Sequence, residues 1–270
     1  RGRRAALARP LLRGLGRWPK LDAACGFLAT HGHLRGFAFL DATLDFLNLR
    51  YAVDQVESRR VPASGRLLLV ANHPSGALDA LALLHFVGSV RRDVKIVAND
   101  FLMSIEPLRE LLLPVRILGG KPGADSLRAV EQALEAEQCV IVFPAGEVSR
   151  LGPRGVRDTR WRRGFLRFAR NTGAPVLPVR VQARNSAFFY GASALFKPAG
   201  TALLAREMFK RAQRRISLRV GRLMTVEAEG DAGAQIARVR EALYAIGRKP
   251  DTTADAPEPL VAAVERNVLE

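Results

Sequence analysis

Apolar positions in this chain fall into short continuous runs, separated by stretches whose apolar residues recur with helical spacing. Leu67 to Ala71 (L-L-L-V-A) is one such run, the pattern of a strand buried on both faces of a parallel or mixed sheet. Pro74 and Gly76 break the run, and a helix-forming segment follows from Ala77 to about Val87. Val94 to Ala98 reads as the next buried strand, Phe101 to Leu113 as an apolar helix, and Pro114 to Leu118 as a short strand bearing Arg116. Ser126 to Ala136 has helical periodicity, with Asp125 or Ser126 as its N-cap. Cys139 to Phe143 predicts a strand, Trp161 to Asn171 a basic helix closed by Gly173, and Pro175 to Val181 another strand. A helix over Thr201 to Gln213, an edge-type strand over Ile216 to Val220 and a closing helix over Ala232 to Ile246 complete the pattern.

Upstream of these, Phe27 to Leu49 reads as a helix or helix pair, leading into a first strand near Tyr51 to Val56. His31 and His33 flank a glycine there, as loop or cap residues do. From Leu7 to Trp18, helical spacing puts Leu7, Leu11, Leu15 and Trp18 on one side and Arg9, Arg13 and Arg17 on the other. A basic amphipathic segment ending in Trp suits a membrane interface, though the same stripe can pack on a domain. Three regions are expected: residues 1–50 as a helical membrane-association segment, 51–249 as an α/β domain, and 250–270 as a tail with a short peripheral helix. Alternating strands and helices predict a single α/β domain, a mostly parallel mixed sheet flanked by helices, with amphipathic helices before it.

Charge adds a constraint that the pattern lacks. The chain of 270 residues is 48% hydrophobic and carries a formal net charge of +16, which calls for an anionic partner: nucleic acid, an anionic membrane or a phosphorylated substrate. No apolar run approaches the ~18 to 20 residues that span a bilayer, and the Arg-rich start lacks a signal peptide's apolar core, so a soluble or peripheral protein is expected. Cys25 and Cys139 have no metal-ligand spacing and are expected to stay reduced.

Candidate chemistry gathers where strands end. Asn72, His73 and Ser75 occupy a strand-to-helix turn, the place where α/β sheets collect catalytic groups, and Asp79 lies close enough to orient His73. Cys139 to Phe143 runs into P-A-G-E-V-S-R, a second polar strand end. There is no G-x-S-x-G elbow, no phosphate-binding G-x-x-x-x-G-K-[ST] loop, no dinucleotide fingerprint and no zinc spacing. Aromatic residues are too thinly mixed with the basic ones to suggest an RNA-binding module.

Four ordered blocks, N-H-P-S-G-A-L-D, V-K-I-V-A-N-D-F-L, F-P-A-G-E-V-S-R and G-A-P-V-L-P-V, resemble the motifs of the glycerophospholipid acyltransferase superfamily, which includes 1-acylglycerol-3-phosphate acyltransferases. The resemblance runs from Leu67 to Leu223. Two departures stand out. Five residues separate His73 from Asp79, where the family has four, and Ala145, Glu147 and Val148 replace the usual residues of the third motif. That variant is similar to a divergent branch that includes hemolysin-like proteins and acyltransferases of ornithine-containing lipids.

The resemblance implies that an acyl chain passes from acyl-CoA or acyl-ACP, with no other cofactor and no metal, to the hydroxyl of a lysophospholipid or related lysolipid. His73 would be the general base and Asp79 its orienter, with backbone N–H groups at the turn and helix start stabilising the oxyanion. Arg150 would hold the anionic acceptor, with Asn72, Arg116, Gly146, Glu147 and Ser149 also at the binding site. Expected partners are anionic membrane lipids, the acyl donor and the lysolipid, at the cytoplasmic face of a membrane. A catalytically inactive membrane-associated member of the fold and a basic nucleic-acid-binding protein are the alternatives.

Overall fold

A computed structural model describes residues 19–115, 123–152, 155–183, 214–247 and 260–261. The amphipathic segment before residue 19, Arg116 and the helix expected over Thr201 to Gln213 lie outside the described residues. The strands are β1 (Leu49–Val53), β2 (Leu67–Ala71), β3 (Val94–Asn99), β4 (Leu112–Val115), β5 (Cys139–Val142), β6 (Arg150–Gly152), β7 (Gly155–Arg157), β8 (Val176–Gln182), β9 (Arg214–Val220) and β10 (Leu260–Val261). Helices α1 (Pro19–His31) and α2 (Gly36–Phe46) precede β1, and α3 (Gln55–Ser58), α4 (Ala77–Val90), α5 (Ala124–Glu135), α6 (Gly164–Thr172) and α7 (Ala232–Ala245) lie between the strands.

The main sheet has eight strands in the order β10-β1-β9-β8-β2-β5-β3-β4. Strands β8, β2, β5, β3 and β4 all run parallel. β9 reverses against β8 and pairs in parallel with β1, and β10 adds an antiparallel edge. The result is the expected mixed, mostly parallel α/β domain.

β2 sits inside this sheet, and its composition explains why. Leu67, Leu69 and Ala71 enter one hydrophobic core, while Leu68 and Val70 enter the other. Successive side chains point to opposite faces, so a strand covered on both sides must be apolar throughout. On the first face Phe39, Leu40 and Leu44 of α2 pack with Leu78, Leu83 and Val87 of α4. On the second, Val130 and Leu134 of α5 meet Phe165 and Phe168 of α6, with Val239 and Leu243 of α7. Cys139 of β5 is fully buried, and desolvation pushes its thiol up to about 12; Cys25 of α1 is exposed.

Two expectations need correction. Phe101 to Leu113 is not one helix: two 3-10 segments, Asp100–Ser104 and Glu106–Leu111, give way to β4 at Leu112. Pro107 lies near the start of the second segment, and pairing of Leu112 to Val115 with Ile96 to Asn99 draws the end of the apolar run into the sheet. β9 is not an edge strand either, since β1 and β8 flank it. Its polar position Arg219 is accommodated by buried Glu57, which takes guanidinium N–H groups at 2.8 to 3.1 Å and the Val220 backbone N–H at 2.9 Å. The tail expected to carry a short helix lies outside the described residues except for Leu260–Val261, which pairs with β1.

Candidate active site

The carboxyl end of β2 delivers Asn72 and His73 to the rim of the sheet. Asn72 is buried, and its side-chain amide continues the ladder to β8: Nδ2 donates to the Val181 carbonyl at 2.8 Å, and Oδ1 accepts the Val181 N–H at 2.7 Å. Its polar groups thus hold the strand end in place. The imidazole that follows is stacked on Phe143, at the end of β5, with ring centroids 3.9 Å apart and planes inclined by 22°.

Asp79 lies in the first turn of α4 and is completely buried. Nδ1 of His73 comes within 3.2 Å of its Oδ2. The approach falls outside hydrogen-bond alignment, so Nδ1 has no hydrogen-bond partner among the described residues. The carboxylate instead accepts the N–H groups of Ser75 at 2.7 Å and Gly76 at 3.1 Å, together with the Ser75 hydroxyl. These bonds absorb the longer spacing between His73 and Asp79. The chain doubles back through Gly76 at a φ of 75°, where a side chain would be strained, and Asp79 reaches back over the turn as an N-terminal cap.

The same bonds bear on oxyanion stabilisation. The N–H groups of Ser75 and Gly76 are committed to Asp79, that of His73 is committed to Asp158, and Pro74 has none. The turn itself therefore offers no unengaged N–H from these residues. At the start of α4 the Asp79 N–H donates to the Gly76 carbonyl at 2.9 Å, which leaves the N–H groups of Ala77 and Leu78 as the ones a helix start does not satisfy internally.

The third block packs directly on this turn. The Ser149 N–H donates to the His73 carbonyl at 2.8 Å, and the buried Ser149 hydroxyl donates to Asp158 Oδ1 at 2.5 Å. Ser149 is thus engaged inside the fold. Glu147 accepts from Thr159 Oγ1 at 2.8 Å and pairs with Arg150 at 3.1 Å, both side chains reaching solvent. Gly146 adopts a φ of 66°, and a Cβ built there would sit 3.4 Å from the guanidinium carbon of Arg162. Arg162 is exposed, and its backbone N–H anchors it to the Pro144 carbonyl at 2.9 Å. Of the predicted residues the structure brings together His73, Asp79, Asn72 and Ser149, with Gly146, Glu147 and Arg150 on the adjoining block. Arg116 lies outside the described residues.

Two residues escaped the sequence reading. Arg162 was hidden inside a segment read only as a basic helix. Asp158 follows the β6–β7 hairpin and is 4% exposed. Its Oδ1 accepts the His73 N–H at 3.1 Å, and its Oδ2 accepts the Trp161 indole N–H at 2.8 Å. Burial raises its carboxyl above the ordinary value, against the hydrogen bonds from Ser149, His73 and Trp161. The only signal available was a lone Asp three residues before Trp161.

A His–carboxylate contact at the carboxyl edge of a parallel sheet marks the class of α/β enzymes that gather their chemistry at strand ends. The family described as Acyltransferase matches residues 7–252, and the chain belongs to it. It is an acyltransferase of the glycerophospholipid acyltransferase superfamily. It is 30% identical over 203 residues to a lyso-glycine lipid O-acyltransferase of Phocaeicola vulgatus, covering 73% of this chain and 72% of that one. A protein of the same name from Bacteroides thetaiotaomicron is 32% identical over 194 residues, covering 69% and 70%. A solved structure, the 1-acyl-sn-glycerophosphate (LPA) acyltransferase PlsC from Thermotoga maritima, aligns over 77% of this chain and 79% of that one, with 18% identity and a TM-score of 0.48.

Proposed function

We propose that this acyltransferase moves a fatty acyl chain from an acyl thioester, acyl-CoA or acyl-ACP, to the hydroxyl of a lysolipid with an anionic head group, using His73 as general base. The observation that carries this reading is the 3.2 Å approach of His73 Nδ1 to the fully buried Asp79. Nδ1 faces the carboxylate, which leaves Nε2 for the acceptor. A lipid hydroxyl is a weak nucleophile near neutral pH, and proton transfer to a held imidazole lets its oxygen attack the thioester carbonyl carbon. The tetrahedral oxyanion forms near the start of α4 and collapses with rupture of the C–S bond. The imidazolium returns its proton to the departing thiolate, so no acyl-enzyme is required.

The acceptor class is supported by the names of the two relatives, since a glycine head group ends in a carboxylate. A guanidinium matches such a group with two parallel N–H bonds; the block packed against His73 carries Arg150, and Arg162 lies beside its Gly146. Lysolipids stay in a bilayer, so the enzyme works as a peripheral protein at the cytoplasmic face of an anionic membrane. The Arg-rich segment before residue 19 supplies its affinity, and no cofactor besides the acyl thioester is used. The test is acyl transfer by purified protein to lyso-glycine lipid, lyso-ornithine lipid and lysophosphatidate. His73→Ala is expected to cut turnover at least ~10²-fold with the fold intact. Turnover near wild type in folded His73→Ala protein refutes the base assignment.

A further inference from the structure

We propose that Asp158 is a positioning residue of the reaction: it fixes the backbone of His73 from outside the catalytic turn and sets a negative charge behind the imidazole. The proposal rests on His73 acting as the base.

The geometry forms a closed ring of contacts. The His73 N–H runs to Asp158, the Ser149 hydroxyl runs to the same carboxylate oxygen, and the Ser149 N–H returns to the His73 carbonyl. Both peptide groups of the base are held from one side, by Asp158 and Ser149, each more than seventy residues further along the chain. Asp79, by contrast, organises the peptide groups of Ser75 and Gly76. The two carboxylates thus divide the turn between them, Asp158 gripping its strand side and Asp79 its helix side.

Asp158 is itself built into place. The Trp161 indole fills its second oxygen, the Tyr244 hydroxyl accepts its N–H at 2.8 Å, and Arg240 donates to its carbonyl at 2.8 Å. Three donors on two oxygens suit an ionised carboxylate and leave no place for a carboxyl proton to be donated except back to Ser149. A buried negative charge beside an imidazole favours the imidazolium that forms as the acceptor loses its proton.

Other charges facing this cluster come from several elements. Asp79 of α4 contacts the ring. Glu147 and Arg150 pair on the third block, and Arg180 of β8 reaches the Tyr244 and Ile246 carbonyls. On α7, the Tyr244 hydroxyl is pushed up to about 12 by burial, with Arg157 and Arg240 over its ring at 4.6 and 5.6 Å. Only Asp79 and Asp158 place carboxylates against His73 itself among the described contacts.

The decisive experiment measures kcat, KM and the pH profile of kcat/KM for Asp158→Asn and His73→Ala beside the wild type. Asn offers an NH2 where an oxygen accepted, so one of the Trp161 and His73 N–H groups faces a donor. Expected for Asp158→Asn are a loss in kcat of about tenfold to a hundredfold, little change in either KM, and an acidic limb displaced to lower pH by about one unit. A role confined to stability predicts a lower Tm with an unmoved limb, and that result overturns the proposal. If Asp158→Asn does not fold, Ser149→Ala keeps every charge and opens the ring of contacts. It should lower kcat about tenfold with the limb in place, and an unchanged kcat there overturns the proposal. Activity surviving in His73→Ala overturns the base assignment instead. An inactive His73→Ala beside a wild-type-like Asp158→Asn removes only the role given to Asp158.

Discussion

Asp79→Asn isolates the charge beside the proposed base, His73, with little other disturbance. An Asn carbonyl placed at Oδ2 still accepts the Ser75 and Gly76 N–H groups at 2.7 and 3.1 Å. The new NH2 then meets the Ser75 hydroxyl, which can turn to accept it. The turn therefore survives, and Tm is expected to fall by no more than about 5 °C. The loss is the attraction between carboxylate and imidazolium. At the 3.2 Å seen here it is worth roughly 5 kcal/mol at an effective dielectric near 20. His73 is 17% exposed, so solvent screens part of that value, and the Asn carbonyl recovers a little more. A tenfold loss accompanies each ~1.4 kcal/mol, which places the expected fall in kcat between ~10² and ~10⁴. The assay is steady-state transfer from acyl-CoA to lyso-glycine lipid in mixed micelles, with circular dichroism as the control for folding. A folded Asp79→Asn protein whose kcat stays within tenfold of wild type would refute the reasoning.

Arg150→Ala is expected to raise the acceptor KM about tenfold or more, in line with the ~1.5 to 3 kcal/mol carried by a charged hydrogen bond, and to change the donor KM far less; equal losses for both substrates would make Arg150 structural. Deleting residues 1–18 should abolish salt-sensitive binding to anionic vesicles, since each Lys or Arg near such a surface contributes ~1 kcal/mol, while leaving Tm in place. Co-sedimentation that survives the deletion, with a lowered melting point, would assign that segment to packing. Acid stability follows from Asp93 and Glu137, whose carboxyls are held below the usual range by hydrogen bonds from Arg91 and Arg66. Depressed carboxyls stabilise the fold above their unfolded values and lose that contribution as pH falls through the folded ones. The Tm gap between wild type and Arg91→Ala should therefore be widest near neutral pH and narrow below about pH 4, and a gap constant across that range would count against the pairing.

The sequence shows most plainly what depends on neighbours in the chain. Leu67 to Ala71 announces a doubly buried strand because every residue is apolar, and Pro74 with Gly76 announces the turn that ends it. His73 and Asp79 are close enough in sequence for their contact to be expected. The role of Asp158 depends on 85 intervening residues being folded, and nothing local distinguishes it from a solvated acid. Ser149 was noticed through its motif, but the side to which its hydroxyl points is decided by Asp158. Arg219 misled in a different way. Its alternation with apolar residues looks like a strand with one wet face, whereas Glu57, far away in sequence, lets a charged residue sit in the middle of the sheet. After Asn99 the apolar run is legible and a strand is expected from Pro114, but pairing with β3 draws Leu112 and Leu113 into that strand ahead of the expected boundary.

The burial of Cys139 gives the native protein a single chemical handle. The chain has two cysteines. A thiol that is fully enclosed and titrates at about 12 offers neither thiolate nor access to a maleimide near neutral pH, so Cys25 alone should react. A dye attached there sits on α1, directly after the arginine-rich segment. Its emission could report the approach of that helix to a lipid surface in the unaltered enzyme, and the appearance of a second labelled site would time the opening of the sheet during unfolding.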